Sequence, residues 1–162
     1  MEQAVVKILL LGICGYGSNY IKEISERDIP GIKIEGICEV VPNAADLYPI
    51  IKEQNIPIYQ TPEDFYKEHT ADLAVVSTPI HLHYSQIVTC LTHGSNVLTE
   101  KPVCTSVEGA RKLEQLEKEK GIPVDYMLDR VGQALITAYK RDNDGMTDNV
   151  YVEPDRDKKT IH

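Results

Sequence analysis

At 162 residues the chain is long enough to bury one core and short for two full-sized domains. A formal net charge of −8 excludes a nucleic-acid or anionic-membrane partner, because both need concentrated basic surface. No apolar stretch approaches the ~20 residues that cross a bilayer, and the run Ile8 to Leu11 follows an acidic start rather than a basic one, so a cytoplasmic chain with no membrane partner is expected.

Apolar, β-rich runs recur along the chain: Val5 to Cys14, Ile32 to Cys38, Ile56 to Tyr59, Leu73 to Ser77, Val97 to Thr99 and Ile122 to Met127. Several are nearly continuous, as suits strands of a parallel sheet covered on both faces. The segments between them carry helix punctuation. Thr61-Pro62-Glu63 reads as an N-cap, a proline at the first helical position and an acid in the first turn. Thr105 and Glu108 have capping-box spacing before a helix that runs to Lys120, with Gly121 as its stop, and Gly94 ends the segment His83 to His93. Alternation of this kind predicts α/β architecture, a doubly wound parallel (Rossmann) sheet of about six strands with little or no second domain.

From about Asp129 the pattern weakens. Val131, Leu135, Ile136 and Tyr139 share one helical face, Val150 to Val152 form a short apolar patch, and the charged end Glu153 to His162 is expected to be frayed. The expected organisation is a dinucleotide-binding domain over 1–128, followed by a remnant or tail over 129–162 with one helix and one short strand.

Gly15-Tyr16-Gly17-Ser18-Asn19-Tyr20 follows the first strand and leads into a helix. Glycines there let backbone approach a diphosphate, and the helix start offers N–H donors and a positive dipole end. Counted from Gly15, Tyr20 replaces the third glycine of G-x-G-x-x-G, so helix and strand are expected to pack less closely there. Glu39 ends the second strand near the ~20-residue offset at which an acid receives ribose hydroxyls. Its charge would repel a 2′-phosphate and no arginine follows, so NAD is favoured over NADP. Cys14, Cys38, Cys90 and Cys104 form no C-x-x-C pair, and free thiols in a reducing compartment are expected. His81 and His83 lack a third ligand at suggestive spacing, so no metal is expected.

Two further segments, Ser77-Thr78-Pro79-Ile80-His81-Leu82-His83 and Val97-Leu98-Thr99-Glu100-Lys101-Pro102, complete a pattern similar to the "TP…H … G…V…EKP" motifs of Gfo/Idh/MocA oxidoreductases. The resemblance extends from the first strand to Asp125. It implies a cofactor cleft with adenine near Glu39, nicotinamide near Glu100-Lys101-Pro102, and Ser77, Thr78, Pro79 and His83 along the middle of the cofactor. It makes Lys101 the catalytic candidate, beside the reacting oxygen of a sugar or polyol. Members of that family continue into a substrate domain with a D…H motif, and neither that motif nor sufficient length follows Asp125. The activity is therefore left open between an oxidoreductase domain lacking most of its substrate domain and a non-catalytic nucleotide-binding or dimerising module. Apolar surface that would meet a second domain predicts homo-oligomerisation.

Overall fold

In a computed structural model, which describes residues 5–27, 31–120, 154–155 and 160–161, the first apolar run forms β1 (Val6–Leu11). Its side chains alternate between faces, and both faces are buried. Leu9 and Leu11 join one cluster with Phe65, Val76, Ile87 and Leu113, whereas Ile8 and Leu10 join another with Ile21, Ile34, Ile37 and Ile51. This two-sided burial accounts for the unbroken apolar character of the run.

The remaining elements follow in alternation: α1 (Ser18–Arg27), β2 (Ile32–Cys38), α2 (Pro49–Glu53), β3 (Ile58–Tyr59), α3 (Pro62–Tyr66), β4 (Leu73–Val76), α4 (Ile80–Thr92), β5 (Asn96–Thr99) and α5 (Val107–Lys120). The five strands are all parallel, in the order β3-β2-β1-β4-β5. The chain thus winds outward from β1 to one edge and then back past it to the other. Helices α1 and α2 contribute to one core cluster, and α3, α4 and α5 to the other. The order reverses between β1 and β4, which opens a crevice at the carboxyl ends of those strands.

Several joints are built as the sequence predicts. Thr61 Oγ1 accepts the Asp64 N–H at 3.2 Å ahead of Pro62, and Gly94 follows α4 with φ +89°, a left-handed conformation that suits glycine. The cap of α5 differs by one residue from the expected Thr105. Ser106 Oγ accepts the Gly109 N–H at 3.0 Å, and with Ser106 as N-cap the third helical position is Gly109, which has no side chain to reciprocate. Glu108 instead pairs with Lys112 one turn on.

Gly36 is required by close packing, since a Cβ there would lie 2.7 Å from the Phe65 ring. The β1–β2 register skips Glu35 at the same point, Ile8 pairing with Ile34 and Leu9 with Gly36. Gly36→Ala is expected to destabilise the fold by ~1–3 kcal/mol through overpacking, read as a lowered thermal midpoint.

The chain divides into two compact units, Met1–Glu119 and Lys120–His162, a division N-terminal to the expected 128 boundary. In the second unit the described residues form an antiparallel pair, β6 (Pro154–Asp155) with β7 (Thr160–Ile161), where a frayed end was expected. The sixth strand expected at Ile122 to Met127, the helix through Val131 and Tyr139, and the patch Val150 to Val152 lie outside the described residues.

Candidate functional site

The site begins where β1 ends. Gly12 turns the chain with φ +80° and donates its N–H to the Cys38 carbonyl at 2.9 Å. Gly17, at the entry to α1, is buried, and a Cβ on it would stand 1.8 Å from the Gly12 carbonyl oxygen. A Cβ on Gly15 would meet nothing within 4 Å. The three glycines therefore have different jobs. Gly12 makes the tight turn and Gly17 lets helix and strand approach, which are the roles of the first and third glycines of G-x-G-x-x-G. The motif runs Gly12-Ile13-Cys14-Gly15-Tyr16-Gly17, with Cys14 in the place of the second glycine.

This register corrects the reading that began at Gly15. Tyr20 replaces no packing glycine, and α1 lies close on the strand. Gly12 was missed, although a glycine directly after an apolar strand and five residues before another fits the fingerprint's outer spacing.

Glu39 reaches back across this loop. Its Oε2 accepts the N–H groups of Ile13 at 2.9 Å and Cys14 at 3.1 Å, while Oε1 accepts those of Val40 at 2.8 Å and Val41 at 3.1 Å. One carboxylate thus joins the glycine loop to the end of β2, and four donors occupy its roughly four lone-pair directions. Burial acts to raise its pKa, but the N–H bonds from Ile13, Val41 and Val40 and the Cys14 thiol outweigh it and hold the carboxyl below the usual range. Desolvation, together with the neighbouring Glu39 carboxylate, pushes the Cys14 thiol up to about 11, so it remains protonated and weakly nucleophilic.

Beyond the loop lies a cavity of about 930 Å³, a size suited to a cofactor-scale ligand. It is lined by Gly12, Cys14, Gly15, Tyr16 and Glu39 on one side and by Ser77, Thr78 and Pro79 on the other, with Val40, Val41 and Leu82 as apolar wall. The valines were not singled out from the sequence. Their signal is position, two apolar residues immediately after the strand-end acid, and Val40 is 73% exposed. Ser77 lines the cavity, and its Oγ is buried with no hydrogen-bond partner among the described residues. A turn that excludes side chains, an apolar wall and a spare hydroxyl fit a dinucleotide.

Gly17, Ser18 and Asn19 do not line the cavity. The N–H groups of Ser18 and Asn19 close the first turn onto the carbonyls of Gly15 and Tyr16. His83 is also off the wall. The residue is only 2% exposed, with Nε2 2.7 Å from the Thr78 carbonyl oxygen and Nδ1 3.0 Å from that of Pro102. It bridges the loops that follow β4 and β5. His81 is exposed on the cavity wall, and among the described residues no group of three ligand-type side chains is placed to hold a metal ion.

Glu100 and Lys101 follow β5 at the same end of the sheet but do not line the cavity. The Glu100 N–H donates to the Val76 carbonyl at 2.9 Å, and Glu100 Oε1 accepts the Tyr20 hydroxyl at 2.6 Å. Lys101 is exposed. The sheet thus brings the glycine loop, Glu39, the Ser77-Thr78-Pro79 turn and Glu100-Lys101-Pro102 to one edge.

A model of the GFO_IDH_MocA family, described as an oxidoreductase family with an NAD-binding Rossmann fold, matches residues 6–127. A second model, of the NusA N-terminal domain, matches residues 110–162 and overlaps the first over 110–127. The chain is 29% identical over 123 residues to an inositol 2-dehydrogenase of Rhodococcus jostii (strain RHA1), covering 72% of this chain and 31% of that protein. It is 32% identical over 60 residues, 37% of this chain and 17% of the relative, to scyllo-inositol 2-dehydrogenase (NADP(+)) IolW of Bacillus subtilis (strain 168). Among solved structures, apo scyllo-inositol dehydrogenase from Lactobacillus casei superposes with a TM-score of 0.64 at 25% identity, over 74% of this chain and 35% of that one. The chain spans about a third of the length of the inositol 2-dehydrogenases and dehydrogenase structures it matches. No helix among the described residues is long and apolar enough to cross a membrane.

Proposed function

Since the chain belongs to the Gfo/Idh/MocA oxidoreductase family with its NAD-binding Rossmann fold, we propose that it holds NAD in the cavity at the carboxyl ends of β1, β2 and β4, within an enzyme that moves a hydride to or from a sugar or polyol. The observation that carries this reading is the crowding of Gly17 against Gly12 at the switch point of the sheet, beside a strand-end acid. The sugar or polyol class is taken from the inositol dehydrogenases the chain resembles.

In this reading the diphosphate lies over Gly12 to Gly17, where Cys14, Gly15 and Tyr16 are exposed and the start of α1 supplies its positive dipole end. Val40 and Val41 flank the adenine, and Glu39 faces the adenosine ribose. A carboxylate there disfavours the 2′-phosphate of NADP by like-charge repulsion, which supports NAD. Ser77 offers its unpartnered hydroxyl, with Thr78 and Pro79, to the middle of the cofactor. His83 acts on that region through the two loops it bridges rather than by contact. Bound nicotinamide supplies the hydride-carrying carbon. Lys101 is assigned the reacting oxygen of the substrate, as a cation that stabilises developing negative charge.

Residues after about 128 are assigned to a separate remnant or tail rather than to a substrate domain, and the match of 110–162 to a different family model supports this. The acidic balance argues against nucleic-acid and anionic-membrane partners, and we infer a cytoplasmic location and homo-oligomerisation through apolar surface that would otherwise meet a second domain. A second reading, a nucleotide-binding module without catalysis, is favoured by one observation, that Glu100 and Lys101 lie off the cavity wall.

Calorimetric titration of the full chain with NADH and with NADPH tests the proposal. NADH is expected to bind in the micromolar range and more tightly than NADPH. Binding of neither overturns the reading, and equal binding of both removes the role given to Glu39.

A further inference from the structure

Tyr20 stands in the first turn of α1, the turn that follows the glycine loop, and its N–H donates to the Gly17 carbonyl at 3.1 Å. Its ring packs against the cluster that contains Ile13 and Ile21, which leaves the hydroxyl at the rim of the sheet. There it donates to Glu100 Oε1 at 2.6 Å. A phenol–carboxylate bond this short is charge-assisted and stronger than a bond between neutral groups. Desolvation and the Glu100 carboxylate push the Tyr20 pKa up to about 12, so the hydroxyl keeps its proton and its role as donor at neutral pH.

Glu100 is also fixed from behind, through its own N–H to the Val76 carbonyl. Two residues further on, the Pro102 carbonyl meets buried His83, whose other ring nitrogen meets Thr78. The segment 100–102 is therefore held at both ends, from α1 by Tyr20 and from α4 by His83, with exposed Lys101 between the two ties.

We propose that Tyr20 is a positioning residue, whose hydroxyl links the first turn of α1, directly after the glycine loop, to Glu100 and so sets Lys101 at the nicotinamide end of the site. The inference rests on the cofactor reading above, and it distinguishes the nicotinamide half of the ligand from the ADP-ribose half. A tyrosine needed only to fill the core would affect both halves alike.

The test uses the full chain, titrated with NADH and separately with ADP-ribose, as wild type, Tyr20→Phe, Glu100→Gln and the double variant. Phenylalanine keeps the ring in the core and removes only the donor. Tyr20→Phe is expected to weaken NADH at least about fivefold, the scale of one lost bond to a charged group, and to leave ADP-ribose within about twofold. The double variant is expected to lose no more than the larger single loss, the signature of one shared interaction. Unchanged NADH affinity in Tyr20→Phe overturns the proposal, as does an equal loss for both ligands or a wild-type chain that binds the two equally. A wild-type chain that binds neither ligand overturns the cofactor reading itself, whereas ADP-ribose binding with NADH unaffected by the substitution overturns the role of Tyr20 alone.

Discussion

Gly17→Ala is expected to abolish measurable NADH binding and to lower the thermal midpoint sharply. The new Cβ would lie 1.8 Å from the Gly12 carbonyl oxygen and 3.0 Å from Ser77 Cβ, so either the β1–α1 turn opens or the helix moves off the sheet. Both atoms belong to backbone or short side chain, and neither can swing away. The cost is at or above the upper end of the ~1–3 kcal/mol usual for overpacking, several degrees in a domain of this size. The same displacement moves the start of α1 away from the diphosphate. Gly15→Ala serves as the internal comparison, because its Cβ meets nothing within 4 Å and the fold should hardly notice it. Thermal melts of the two variants decide the register of the motif: a chain more damaged at Gly15 than at Gly17 would refute Gly12–Gly17 as its frame.

The second large effect is expected at Glu39, which serves both the fold and the ligand. Glu39→Gln keeps one acceptor but turns an amide NH2 toward backbone donors, and ~1.5–3 kcal/mol of stability should go with it, at the lower end because the side chain is partly exposed. The pH dependence has a definite sign. The folded carboxyl titrates below its ordinary 4.5, so its contribution is complete above that value and is lost as pH falls through the lower, folded pKa. Urea melts at pH 7 and between pH 5 and 3 should show wild type losing its advantage over Glu39→Gln in the acid range. An advantage that does not decline as pH falls below the ordinary 4.5 contradicts the assignment. For the ligand, Glu39→Ala should shift preference from NADH toward NADPH, since it removes a charge that opposes a 2′-phosphate. An unchanged ratio of the two affinities would show that Glu39 serves the loop alone.

These two residues also show how far the site could be read in advance. Glu39 was legible because a strand-end acid at a set distance from a glycine loop is a local pattern. Its hold on the N–H groups of Ile13 and Cys14 was not, since it depends on two loops meeting across adjacent strands. The glycines at 12, 15 and 17 allow two frames by spacing alone. What separates them is the crowding of Gly17 against the Gly12 carbonyl, with Ser77, some sixty residues further along the chain, closing on both glycines. His83 presents the same case, as a motif histidine whose ring is buried between two carbonyls.

The sequence by itself determined the alternation of strands and helices, the Thr61 cap, the Gly94 stop and the set of motifs at the carboxyl ends of the strands. Each rests on short-range chemistry: apolar runs that require cover on both faces, prolines that lack a donor, and glycines that tolerate positive φ. Only the tertiary structure decided which glycine is crowded, what Glu39 and His83 hold, and that Tyr20 reaches Glu100. The bonds from Glu39 to Ile13, Tyr20 to Glu100 and His83 to Pro102 join residues from 19 to 80 positions apart, and a parallel sheet creates them only when its crossovers bring successive loops to one edge.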